Sequence, residues 1–153
     1  MYMKYFLEDN IRVYPFKDIS HFSNHLNYLF RSDKGQKWTN RDTVKNLYLL
    51  YEDDEFVEYP FPYDKQERRK IKNWFYNKHW RQYDKLYFAC VECTYSQIKF
   101  WQREMIEEMH KKIWDLVDDG WLVLLAVTHD DQPKMYCHYH LILKKRKNFS
   151  RHS

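Results

Sequence analysis

The chain has 153 residues, enough for one domain with its own core and too few for two full ones, so a single domain over 1–153 is expected. Hydrophobic content of 44% excludes a wholly disordered chain, and 20% aromatics with only 2 Gly and 4 Pro argue for long regular elements. A net charge of +4 and a pI near 8.8 allow a nucleic acid partner without demanding one. No apolar run reaches the roughly 18 residues of a membrane span, and the start, MYMKYFLEDN, lacks the basic and apolar regions of a signal peptide. Cys90, Cys93 and Cys137 have no framework spacing. The Cys90/Cys93 pair lies in a strand-like run where i and i+3 face opposite ways, which argues against zinc. Free thiols fit a reducing, cytoplasmic setting.

In chain order, Tyr2 to Phe16 alternates aromatic and polar residues and predicts one or two short strands. Asp18 is an N-cap for a helix over roughly residues 19–32, its carboxylate accepting from first-turn amides. Ile19, Phe22, Leu26 and Leu29 recur at helical spacing as its core face, and His21, His25 and Tyr28 form a second stripe. The turn Asp33-Lys34-Gly35 stops it. Residues 37–46 are polar and predict a loop or short helix. Leu47 to Tyr51 and Phe56 to Tyr59 flank the acidic stretch YEDDEF and predict a hairpin.

Asp64 and Glu67 make a capping-box pattern that opens a helix over roughly residues 65–82. It carries seven Lys/Arg against one Glu, interleaved with Trp74, Phe75, Tyr76 and Trp80. Such a helix has two readings: cations tracking phosphate while rings stack on bases, or an amphipathic helix with a core side and a solvated basic side. Lys85 to Glu92 predicts a strand. Thr94 with Gln97 makes another capping box, opening a long helix from about Tyr95 to Asp119. Its core stripe is Ile98, Trp101, Met105, Met109, Ile113 and Leu116, and Gly120 is its C-terminal stop.

From Gly120 to Arg146 the chain reads GWLVLLAVTHDDQPKMYCHYHLILKKR: two apolar strands joined by a polar turn, Asp130 to Met135. Strand alternation gives Val123, Leu125, Val127 and His129 one face, and Tyr136, His138, His140 and Ile142 one face of the second strand. Pairing then brings His129 near His138 and His140. A His-x-His pair alone is commonly two surface histidines; a third imidazole makes a candidate divalent metal site. The tail KKRKNFSRHS is basic, fit either for phosphate contact or for solubility.

His129-Asp130 followed by His138-Tyr139-His140 on an apolar hairpin resembles the metal-binding motif of the HUH endonuclease superfamily. Within that superfamily, NHLNYLFRSDKG resembles the nucleophile motif of plasmid mobilisation relaxases of the MobA/MobL type. The likeness covers roughly residues 18–35 and 84–146; residues 36–83 are not matched to the family. The hairpin-linked strands near the C-terminus predict an α+β fold, a central, mainly antiparallel β-sheet flanked by helices, which the resemblance makes HUH endonuclease/relaxase-like. The resemblance further implies Tyr28 as nucleophile and Mg²⁺ or Mn²⁺ on His129, His138 and His140. Asp130 would orient a ring or share in handling the Tyr proton, and Arg31, Lys34, Lys144 and Arg146 would hold phosphates of single-stranded DNA.

The implied activity is nicking and strand transfer for a mobile element, plasmid or phage, through a 5′-phosphotyrosine. Rolling-circle replication initiators carry their Tyr after the His-x-His, and Leu141 to Ser153 contains no Tyr, which favours the relaxase order. The family's nuclease domains continue past the histidine strand with helices that clamp DNA, whereas this chain runs only about thirteen residues further. That departure leaves two alternatives: a minimal nuclease aided by a homodimer or accessory protein, or a non-catalytic nucleic-acid-binding regulator on the same scaffold.

Overall fold

The computed structural model describes residues 5–7, 11–31, 42–44, 47–52, 55–62, 64–95, 109–132 and 136–146. The architecture is α+β, and every strand pairing among these residues is antiparallel. The strands are β1 (Tyr5–Leu7), β2 (Val13–Pro15), β3 (Asp42–Val44), β4 (Leu47–Glu52), β5 (Glu55–Pro60), β6 (Leu86–Tyr95), β7 (Trp121–Gln132) and β8 (Tyr136–Lys145). They form one sheet in the order β1-β6-β8-β7-β4-β5; β2 also pairs with β6, and β3 with β7. The expected histidine hairpin is β7/β8, and it occupies the middle of the sheet. Its apolar run suits that place, because a strand paired and covered on both sides buries both sets of side chains.

Helices cover both faces. Residues 109–118 are helical and bury Met109, Ile113, Leu116 and Val117 against Ala89, Val91, Val123, Ala126, Tyr139, Leu141 and Leu143. Gly120, at φ 100°, ends this helix (α3) as expected, in a conformation costly for any residue with a Cβ. The other face carries α1 (Ile19–Leu29) and α2 (Lys65–His79) over Leu86, Leu125, Val127 and Ile142. Asp18 caps α1, its Oδ1 accepting from the His21 amide at 2.7 Å. Phe22, Leu26 and Leu29 are buried and Ile19 is half-buried, as their spacing required. Asp64 caps α2 by accepting from the Gln66 amide, while Glu67 pairs with Lys70 at 3.4 Å. The β4/β5 hairpin forms as expected, Tyr51 opposite Phe56.

Several expectations are corrected. Strand β6 does not end at Glu92 but runs to Tyr95, with Thr94 paired to both Phe6 and Tyr136, so Thr94 cannot cap a helix. Pairing with β1 on one side and β8 on the other supplies hydrogen bonds that local preference does not anticipate. Asp42–Val44 is a strand on β7, not loop or helix. α1 ends at Leu29, and α2 ends at His79, followed by a 3-10 segment, Trp80–Lys85. Val123 does not share a face with Leu125: a register shift between them leaves Leu124 unopposed, Val123 in the α3 core and Leu125 in the α1/α2 core. Ile98, Trp101, Met105 and the Asp33-Lys34-Gly35 turn lie outside the described residues.

Candidate active site

The hairpin register gathers the histidine positions. His129 pairs directly with His138, and His140 pairs with Val127 one rung further in. Val127 and Ile142 belong to the core beneath α1 and α2, so alternation assigns positions 129, 138 and 140 to that same face. For His129, Asp130 and His138 the strand pairing is described but the side chains are not. His140 is half-buried, and α1 lies over it. The Tyr28 ring meets the His140 ring edge-on, centroids 5.2 Å apart at 85°. His25, one turn earlier, lies 6.3 Å from His140 and 6.5 Å from Tyr28. The spacing of His25 and Tyr28 along α1 is what allows both to reach one strand residue.

His25 is the most unusual group here. It packs against Phe16 and Phe88, and its buried Nε2 has no hydrogen-bond partner. Burial, with a smaller contribution from His21, lowers its pKa from 6.5 to about 4. The ring is therefore neutral at physiological pH, with a nitrogen bonded to nothing. A neutral imidazole with an unused nitrogen is what a divalent cation takes as a ligand. His25 was read in the sequence only as part of a polar stripe; its place beside the histidine strand depends on how α1 crosses the sheet. Among the residues with described side chains no three ligating groups converge; His129 and His138 are outside that set.

A carboxylate position was also missed. Glu92 of β6 pairs with His138, so the rung reads Glu92, His138, His129 across three strands. Its signal in the sequence was a lone acid inside an apolar strand, uninterpretable until the β6–β8 register is known. Asp130, in contrast, pairs with Cys137 and has the parity of Ala126 and Tyr139, the α3 face. The register therefore does not bring Asp130 to the histidine row, and Glu92 occupies the neighbouring place. Behind the row, the buried Tyr139 hydroxyl and His110 Nε2 share a hydrogen bond of 2.7 Å, which ties β8 to α3 between the two histidines.

The expected cations separate into two groups. Arg31 stays with Tyr28, its guanidinium carbon 5.4 Å from the ring centroid. Lys144 is four residues from His140, about 13 Å along the strand, and its Nζ donates to Gln82 Oε1 at 2.9 Å. Arg146 lies beyond it, its amide bonded to the Gly120 carbonyl at 3.0 Å. Lys34 lies outside the described residues. On α2, Phe75 is buried while Trp74 is 44% exposed, and Trp80, just past its end, is 39% exposed, so the helix has a core side and an exposed basic and aromatic side. Among the described residues no helix is long and apolar enough to cross a membrane. Comparison of the chain with protein-family models, curated proteins and solved structures finds no match in any of the three.

Proposed function

We propose that this protein nicks and rejoins single-stranded DNA in a metal-dependent reaction, as a relaxase-like member of the HUH endonuclease superfamily. The observation that carries the reading is Tyr28 lying edge-on to His140, with His138 and His129 following in the hairpin register. The central antiparallel sheet, with the histidine strands in its middle and the tyrosine on a helix above, supports the same assignment. His129, His138 and His140 would hold Mg²⁺ or Mn²⁺, and the unpartnered His25 nitrogen fits a cation at this place. When bound, the metal polarises a phosphodiester and offsets charge developing on it.

Tyr28 supplies the nucleophile. Its phenolic oxygen forms a bond to phosphorus, the P–O3′ bond breaks, the phenol proton leaves to solvent, and the departing 3′ oxygen takes up a proton. The 5′-phosphotyrosine so formed keeps the ester bond for a second transfer that reseals the strand. Arg31, whose guanidinium lies over the Tyr28 ring, would meet the approaching phosphate. The core at Val127 and Ile142 keeps water from behind the site.

The test is incubation with labelled single-stranded DNA and Mn²⁺, followed by denaturing electrophoresis. The wild type is expected to give a shifted covalent band, and Tyr28→Phe and His140→Ala none. Tyr28→Phe should keep its fold, with a stability change within about 1 kcal/mol for one lost hydroxyl. A band that persists in Tyr28→Phe refutes the nucleophile. DNA binding without any band in the wild type identifies a regulator instead.

A further inference from the structure

Between the end of α1 and the first half of α2 lies a groove of about 210 Å³. Five cationic side chains line it: Arg31 from α1, and Lys65, Arg68, Arg69 and Lys72 from α2; Asn27 and Phe30 complete the wall. Among the described residues no carboxylate lines it. Glu67 is drawn to Lys70, and Asp64 is spent on the helix cap. Like charges three and four residues apart destabilise a helix, so the stripe of Lys65, Arg69 and Lys72 carries a cost that an anion against it would relieve; Arg68 beside them donates to the Pro62 carbonyl at 3.4 Å.

The same stripe changes character one turn later. Tyr76 and Trp80 follow at i+4 steps, their rings stacked 6.4 Å apart at 11°, with Arg81 at 5.5 Å from the Trp80 centroid. Trp80 offers its exposed ring to a base. From Arg69 to Trp80 is eleven residues, about 16 Å of helix, too long for one nucleotide and suited to a strand. A duplex hides its base faces, whereas a single strand presents phosphates and bases together. At the other end, Arg31 joins the groove to the Tyr28 ring.

We propose that this groove seats a backbone phosphate of single-stranded DNA, the strand running on along α2 to stack on Trp80. The inference rests on the proposed function for the identity of the strand; the charge and stacking arguments stand on α2 itself.

The experiment is fluorescence anisotropy with a labelled oligothymidine strand over a range of salt. Lys65→Glu/Arg69→Glu is compared with Lys111→Glu/Lys112→Glu, which makes the same charge change on α3 across the sheet. Lys65 and Arg69 are exposed, and an acid at position 65 suits a helix N-terminus, so the fold is expected to hold. Should it not, Lys65→Gln/Arg69→Gln repeats the test. The groove variant is expected to bind about tenfold or more weaker, with a salt slope flatter by about 1–2, and the α3 variant within about threefold of wild type. Trp80→Ala should weaken binding with the salt slope unchanged. Equal loss in both double variants, no loss in either, wild-type binding to duplex as tight as to single strand, or no wild-type binding overturns the proposal. A wild-type adduct with undiminished binding in Lys65→Glu/Arg69→Glu sinks the groove and leaves the nicking reading. Binding lost in that variant, with no adduct from the wild type, does the reverse.

Discussion

His25 shows how much one side chain can reveal. A buried polar atom left unbonded costs about 1–3 kcal/mol, and nothing in the described structure offsets that cost at Nε2. Replacing the ring with an apolar one removes the cost, since Phe16 and Phe88 already offer an aromatic surface. His25→Phe is therefore expected to unfold in urea at the wild-type midpoint or above it when no metal is present. With Mn²⁺ added, the wild type should gain thermal stability and the variant gain less, because a ligand that binds only the folded state raises its melting temperature. A metal-free loss of more than about 2 kcal/mol would show that the nitrogen has a bonding role in the fold itself.

At the scale of elements, α2 has two unlike sides and a sensitive end. His79 closes it, ring centroid 4.4 Å from that of the buried Phe75. Burial, then Lys78 and Lys144, lowers its pKa from 6.5 to about 4. The folded protein thus holds this ring neutral where the unfolded chain protonates it. Its contribution to stability is complete above about pH 6.5, declines as pH falls through the window to about 4, and does not change further below that. His79→Phe, which keeps the aromatic contact, should flatten the acid-side decline in urea midpoint between pH 7 and pH 4. Parallel wild-type and variant curves over that range would remove His79 from the cause.

At the scale of the whole molecule, what the sequence disclosed and what it withheld divide by the range of the interactions. Asp18 with Phe22, Leu26 and Leu29, the β4/β5 hairpin and the β7/β8 pairing were legible, because each depends on neighbours within a few residues or across one turn. The extension of β6 through Thr94 was not, since partners on both sides overrode a capping pattern that local chemistry favoured. Glu92 beside His138, His25 beside His140, and the groove between α1 and α2 depend on strand order and on helices crossing a sheet. Those relations have no periodicity to betray them. The α+β class was legible from the hairpin-linked strands near the C-terminus, which must pair antiparallel; the packing of helices on both faces was settled only by which residues are buried against which.

The unopposed Leu124 makes β7 a phase shifter. Before it, Val123 points its parity to α3; after it, Leu125, Val127 and position 129 belong to the α1/α2 side. The extra residue changes the parity of the sequence while every rung on either side of it stays matched to β8. Deleting Leu124 would put Leu125 directly after Val123 and leave an even ladder, Val123 still opposite Leu143 and Leu125 still opposite Ile142, each on its own face. The deletion variant is therefore expected to fold, with position 129 still opposite His138, and to keep the Mn²⁺-dependent gain in melting temperature while losing the packing of Leu124 on the α1/α2 core. Loss of that gain in a folded deletion variant would mean that the local bend of the bulge itself shapes the histidine end of the hairpin.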